Sequence, residues 1–428
     1  MNSTFSSVES TAEPTMDCLF RSRKTYLVAQ LGARMHYAVP RILETAGLLE
    51  SFFTDICAVK GWPRLFRNFP KRFQPQDLRR LLSRDPVGVP VEKIHALTSM
   101  GWAYQRARTR AKNEDQATKT HIAFGKKFCQ AIVKKGFGGA AGTYTFNSAG
   151  LELMQAARKR GMITVMEQTI APRAIELEIL RKASFLYENW GSKSIGVTAV
   201  NEFVDREEEE WQHADLILCG SEFVRDGIVQ RNGPADKCRV VPYGVDNHFY
   251  VHRRPSIAKP LKVLTVAEIG LRKGSPIIWA AAKLLGRQAT FRMVGGFNAP
   301  MSVLREKPEN VVLAGVVPRT QILEHYAWAD VFLLPSLCEG SATVTYEAMM
   351  AGCPVICTPN TGSIVENGVT GIIVPTFSVP AVVEALQMLV DTPEVLYRYC
   401  DEISKRITLI SVEGYRNRLL KAIAPLRA

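Results

Sequence analysis

Two glutamates, Glu339 and Glu347, are separated by seven residues in LLPSLCEGSATVTYEAMMAGCPVI, which runs from Leu333 to Ile356. A carboxylate accepts two hydrogen bonds at once and can grip the vicinal hydroxyls of a sugar or a ribose. The setting predicts how the pair is held. A buried strand ends at Pro335, a loop bears Glu339 and Gly340, and a helix begins near Ser341–Thr343. That helix stops at Gly352, a natural residue for its C-terminal end, and Pro354 opens the next strand. Gly340 admits close approach to the backbone. The amides from Gly340 through Ser341 and Ala342 to Thr343 are placed to bind hydroxyl or phosphate oxygens.

A second cluster is Arg272-Lys273-Gly274, with Ser275 expected as a helix N-cap and Pro276 as the first helical residue. Two cations just ahead of a helix N-terminus add to the positive end of its dipole, which is unfavourable. A bound diphosphate would relieve that cost.

The glutamate phrase resembles the signature of glycosyltransferase family 4, retaining enzymes of the GT-B fold. Neighbouring phrases fit in order. VVPYGVD (Val240–Asp246) resembles the interdomain VIPNGVD of that family, and LTVAEIGLRKG (Leu264–Gly274) resembles its VGRL-x3-KG. Gly362–Gly371 resembles its G-x-x-E-x-x-x-x-x-x-G loop, Val374-Pro375 closes the pattern, and Ile410–Leu420 looks like the terminal helix that crosses back to the first domain.

The resemblance implies that Glu339 lies near the transferred sugar and that Glu347 binds the donor ribose. Lys273 matches the family's diphosphate lysine. The partner arginine position holds Glu268, and Arg272 is the nearest replacement. Gly295-Gly296 and Gly315-Val-Val-Pro318 would wall the nucleotide pocket, with Val317 contacting the base through its backbone. Gly32 matches the glycine loop that faces donor and acceptor, with Arg34 and His36 close by. Histidines expected after two N-domain strands are missing: Gly142–Ser148 has none, and Glu167-Gln168 follows Met166.

The implied substrates are a UDP- or GDP-sugar and a glycan or lipid-linked acceptor, in cell-surface polysaccharide or glycolipid synthesis. No cofactor is expected, and without a convincing Asp-x-Asp loop no essential metal either. Glu268 and the missing histidines also suit a silent sugar-nucleotide-binding scaffold. A sugar-nucleotide epimerase shares the fold but not the glutamate phrase.

The elements that must position these residues alternate strand and helix. Candidate strands include Tyr26–Gln30, Ile163–Met166, Leu216–Cys219, Val240–Pro242, Lys262–Val266, Thr290–Val294, Val311–Ala314, Val331–Leu334, Val355–Thr358 and Ile372–Val374. Amphipathic stretches such as Ala149–Arg160, Ile277–Leu285 and Ala381–Leu389 lie between them. The pattern predicts an α/β chain with two doubly wound parallel sheets. At 428 residues the chain suits two domains of roughly 200 residues. We expect a disordered tail over 1–22, an acceptor-side domain over 23–250, a nucleotide-sugar domain over 251–410 and a crossover helix over 411–428. Ligands in such sheets sit beyond the carboxyl ends of the strands, where the glutamates and cations fall.

Composition narrows the rest. No run of roughly 18 apolar residues is present to span a membrane, and the N-terminus lacks a signal-peptide pattern. Nine scattered cysteines without a CxxC pair argue against a disulfide framework or structural zinc, and for a reducing cytosol. The formal charge is +13, and residues 60–127 hold 16 Lys and Arg against 5 Asp and Glu. Trp62, Phe66, Phe69 and Phe73 are interleaved there. Either this is a solvated basic face with its aromatics in the core, or it is a patch for an anionic membrane. No nucleic-acid recognition motif accompanies it, so no nucleic-acid partner is expected.

Overall fold

The computed structural model describes residues 24–67, 69–70, 74–191, 198–251 and 259–427. The N-terminal tail, Phe73 and residues 252–258 beside the expected domain boundary lie outside them.

Two parallel sheets organise the chain. The first has seven strands in the order β3-β2-β1-β4-β5-β6-β7. They are β1 (Tyr26–Gln30), β2 (Leu49–Thr54), β3 (Ile94–Ala96), β4 (Gly142–Phe146), β5 (Ile163–Gln168), β6 (Leu216–Cys219) and β7 (Cys238–Val240). The second has six, in the order β10-β9-β8-β11-β12-β13. These are β8 (Leu261–Val266), β9 (Ala289–Val294), β10 (Val311–Gly315), β11 (Val331–Leu334), β12 (Val355–Cys357) and β13 (Gly371–Ile373). Strand order reverses between β1 and β4 and between β8 and β11, the two places where such sheets open a crevice.

The sequence reading holds for the second sheet within a residue or two at each end. In the first sheet it missed β2, β3 and β4. Gly142–Ser148, expected to follow a strand, instead begins with one: Gly142–Phe146 is a central strand whose Thr143 and Thr145 are wholly buried. Its threonines hide the apolar run that a two-sided strand normally displays, but their β-branching suits the pleat.

Two buried carboxylates on the helix Thr198–His213 anchor the loops that leave the first sheet. Glu210 accepts the amides of Ser148, Gly150 and Leu151 at the start of the helix Leu151–Arg158. Glu207 accepts the amide of Arg173 at the start of the helix Arg173–Leu186, together with the side chains of Asn147 and Gln168. Each therefore supplies donors' partners at a helix N-terminus, where amides lack intrahelical acceptors. Burial pushes the Glu207 carboxyl up to about 7.

The connection between the sheets is laced to the last helix. Val245 donates to Ile410 O, and Val412 donates to Val245 O, both at 3.0 Å. The helix Val412–Ile423 then docks against the first sheet's side of the molecule. Tyr415 meets Tyr243 edge to face, and Arg418 bonds the carbonyls of Pro242 and Tyr243. Glu167 sits fully buried at this junction and accepts the hydroxyls of Tyr144 and Tyr243. Together with Gln168, which Trp211 and Glu207 engage, it gives the missing histidine position a structural role.

The basic stretch does not bury its aromatics as a plain solvated face would. Leu65 is 80% exposed, Phe66 40%, Phe69 46% and Trp102 48%, and Trp62 packs edge-on against both Phe66 and Trp102. Among the described residues no helix is long and apolar enough to cross a membrane.

Candidate active site

The loops after β8 and β11 meet at the mouth of the second sheet's crevice. The helix Ser275–Leu285 starts behind Gly274, and the helix Thr343–Met350 starts behind Ala342. Neither start has a side-chain cap, so the expected Ser275 cap is replaced by Gly274. The reason is steric. Gly274 has φ +72° and lies against the Pro335 carbonyl, 2.1 Å from where a Cβ would stand. Only glycine makes that turn without clash. Ser275 instead accepts the amide of Gly270.

Between these helix ends lies a cavity of about 400 Å³ lined by Arg272, Lys273 and residues 339–343 from this domain, and by Arg34, Thr169 and Ile170 from the first. Glu339 is 9% exposed. Its Oε1 accepts from Arg272 Nη1 at 3.0 Å and pairs with Lys273 Nζ. Arg272 also donates to Cys338 O, and its own carbonyl accepts from Leu337, so the two loops are stitched together. Burial opposes the Arg272 charge, but the nearby Glu339 and Glu176 carboxylates outweigh it and hold the guanidinium pKa above its ordinary value. Glu268 is exposed and accepts from Asn298. Arg272, rather than residue 268, supplies the arginine beside Lys273 in the cavity.

Glu347 lines an adjoining cavity with His36, Arg41, Asp246 and Arg319, and Met35 and Thr343 line both. Its Oε2 accepts from Tyr326 OH at 2.9 Å, and Oε1 lies 3.8 Å from Arg319. Burial raises its pKa, partly offset by Arg319 and the Tyr326 hydroxyl. Arg319 and Tyr326 escaped the sequence reading. The only signal for Arg319 was its place directly after the Gly315–Pro318 loop.

Gly340 serves a purpose beyond ligand approach. A Cβ there would stand 1.9 Å from Thr169 O of the opposite domain, while Gly340 O accepts from Ser221 Oγ at 2.6 Å. The glycine is thus one point where the two halves touch. Gly32, Gly295 and Val317 line neither cavity. Gly32 follows β1 and donates to Asp55 at 3.0 Å. Gly295 follows β9, with its Cβ position 1.8 Å from Ala267 O, and Val317 packs on the core. The unusual backbone lies further on: Met35, His36 and Tyr37 have φ of 46°, 48° and 60°. Such left-handed conformations cost L-residues energy and concentrate where function holds them.

A histidine does stand beside the loop after β4, supplied by a helix. His121, on the helix Glu114–Lys135, bridges Tyr104 OH at 2.9 Å and Ser148 Oγ at 2.8 Å. Burial, aided by Arg108 and Arg206, lowers its pKa to about 4, so it is neutral at physiological pH. Among the described residues no group of three or more His, Cys, Asp or Glu could hold a metal ion.

Residues 260–392 match the model for "Glycosyl transferases group 1". The amylovoran biosynthesis glycosyltransferase AmsK of Erwinia amylovora is 28% identical over 178 residues, 38% of this chain and 44% of that protein. A GDP-mannose-dependent alpha-(1-6)-phosphatidylinositol monomannoside mannosyltransferase of Mycobacterium tuberculosis is 26% identical over 205 residues, 41% of this chain and 53% of that protein. The chain thus spans about half the length of these curated relatives. In fold it is similar to HepE of Anabaena, solved in complex with UDP, with a TM-score of 0.60 and 15% identity over 94% of this chain and 99% of that one.

Proposed function

Because this chain carries a glycosyl transferases group 1 domain over residues 260–392 on a GT-B frame, we propose that it is a retaining glycosyltransferase moving a sugar from a nucleotide-diphosphate donor to an acceptor hydroxyl. The observation that carries the reading is the convergence of Arg272 and Lys273 on Glu339 between two helix starts without side-chain caps. Such a place suits a diphosphate, because amides and cations there meet negative charge. As the anomeric C–O bond breaks, charge grows on the departing diphosphate, and Arg272, Lys273 and the helix amides stabilise it. The acceptor oxygen attacks from the face the diphosphate leaves. Its proton passes to a phosphate oxygen, so the anomeric configuration is kept without a protein base.

Glu339 takes hydroxyls of the transferred sugar, and Glu347, steadied by Tyr326, takes the ribose. The donor is a UDP- or GDP-sugar: HepE was solved with UDP, and the mycobacterial relative is named for GDP-mannose. The relatives named for amylovoran biosynthesis and for a phosphatidylinositol mannoside support an acceptor that is a glycan or lipid-linked sugar of the cell surface. The exposed Leu65, Phe66, Phe69 and Trp102 within the basic stretch fit peripheral docking on an anionic, cytoplasmic membrane face. Flotation with phosphatidylglycerol liposomes checks this, and equal flotation with neutral liposomes would count against it.

The transferase reading is tested by thermal shift with UDP-, GDP- and ADP-sugars. A donor at a hundred times its dissociation constant stabilises the protein by about 2.7 kcal/mol. No shift with any of them would overturn the reading.

A further inference from the structure

The donor cavity has a neighbour. A second cavity of about 390 Å³ lies between the helices Thr98–Arg110 and Glu114–Lys135 on one side and the turn into Arg173–Leu186 on the other. Its size suits a small ligand, for which sites of ~300–1,000 Å³ are usual. Ile170 lines both cavities. The next residue, Ala171, donates its amide to Glu339 O at 3.4 Å. The second cavity therefore borders the Glu339 end of the donor site, whereas the Glu347 end faces a different recess lined by Asp246 and Arg319.

We propose that this second cavity is the acceptor subsite and that it takes a neutral sugar ring. The inference rests on the transferase reading above, which puts the transferred sugar at Glu339; the attacking hydroxyl must then enter next to Glu339.

The lining selects the ligand. Arg173 is already neutralised, donating to Glu176 at 2.6 Å and to Glu114 at 2.7 Å. Glu207 behind it is satisfied by three donors. An anion would gain only the exposed Arg108 and would face three carboxylates, so like-charge repulsion disfavours it. Sugar hydroxyls both donate and accept, and can use guanidinium, carboxylate and the Tyr104 hydroxyl together. Phe203 and Tyr104 add aromatic carbon to the wall, against which the C–H groups of a pyranose can pack. The wall is fixed in advance, since His121 is held at both ring nitrogens by Tyr104 and Ser148, which lowers the ordering cost of binding.

The test uses the full chain with UDP present. Saturation-transfer NMR is run with methyl α-glucoside, α-galactoside and α-mannoside as neutral probes, and with methyl glucuronide and glycerol phosphate as anionic ones. Ala117 is half-buried on the cavity wall, and Ala117→Phe fills the space. At least one neutral glycoside is expected to receive saturation from the wild-type chain, with the signal lost in Ala117→Phe and reduced severalfold in Arg108→Ala. Arg108 is exposed, so that second variant reports on binding without a folding risk. The UDP thermal shift is expected in all three proteins. No UDP shift in the wild type would overturn the transferase reading itself. A normal UDP shift, combined with no neutral glycoside signal, with preference for the anionic probes, or with equal signals in wild type and both variants, would overturn the acceptor assignment alone.

Discussion

Arg272 and Glu339 meet at 3.0 Å, guanidinium to carboxylate, across the gap between the loops that follow β8 and β11. Lys273 joins the same oxygen, so one carboxylate is the counter-ion of both cations proposed to hold the diphosphate.

That arrangement separates binding from transfer. In Glu339→Gln the cations lose their protein partner but keep their positions, so UDP is expected to bind at least as tightly. Transfer should fall on the order of a hundredfold, because the sugar loses its carboxylate. Lys273→Ala should do the reverse at the binding step, weakening UDP roughly tenfold to a hundredfold, the usual worth of a charged hydrogen bond. Calorimetry with UDP beside a donor-consumption assay reads both. Weaker UDP binding in Glu339→Gln would show that the carboxylate orders the loop instead.

Glu347 gives a pH signature. Burial raises its pKa above the ordinary carboxylate range, so its ionised form is lost sooner on acidification than a surface glutamate's would be. If the carboxylate grips the ribose, donor affinity falls as pH drops through that raised pKa. Tyr326→Phe removes a hydrogen bond that favours ionisation, and should move the fall to higher pH. Glu347→Gln should abolish the pH dependence. A profile identical in all three proteins would remove Glu347 from donor binding.

The contact at Gly340 predicts a coupled loss. In Gly340→Ala the new methyl meets backbone, the Thr169 carbonyl at 1.9 Å, which cannot rotate away as a side chain would. The halves must separate slightly. We expect a loss of about 1–3 kcal/mol, the range for overpacking, together with reduced UDP binding. Denaturant unfolding and UDP titration measure the two effects, and unchanged values for both would mean that the loop relaxes freely.

His121 makes stability depend on acid. Its folded pKa of about 4 lies below the unfolded value of 6.5, so the unfolded chain binds the extra proton first. Between about pH 6.5 and 4 acidification therefore destabilises the fold, by up to ~3 kcal/mol from this group. The stability is recovered as pH rises back through that window. His121→Gln should flatten the slope, as read by urea midpoints across the range, and an unaltered slope would assign it to other groups.

The second sheet was legible because each of its strands is a short apolar run closed by glycine, proline or a charge. The loops after β8 and β11 were legible for the same reason. The first sheet hides more. β4 places buried threonines where an apolar run was sought, and β3 spans only Ile94–Ala96. Its site residues are hidden differently: His121 reaches the loop after β4 from the preceding helix, 27 residues away, and the Arg173 helix start is held by Glu207, 34 residues on. Long-range contacts of that kind leave no local periodicity. Arg272 could be picked out by its place beside Lys273, but its pairing with Glu339 required the fold.

The lacing of Val245 to Ile410 and Val412 has a mechanical consequence. A single linker would let two bodies swivel about any direction. Here the chain passes between them twice, and the passages are bonded side by side, as the two leaves of a door are joined along one pin. Swivelling and sliding would stretch one passage against the other, and rotation about their common line stretches neither. Opening thus reduces to a single angle, and its displacement grows with distance from the pin, so the lips of the cleft travel furthest while Tyr243 and Tyr415 at the pivot scarcely move.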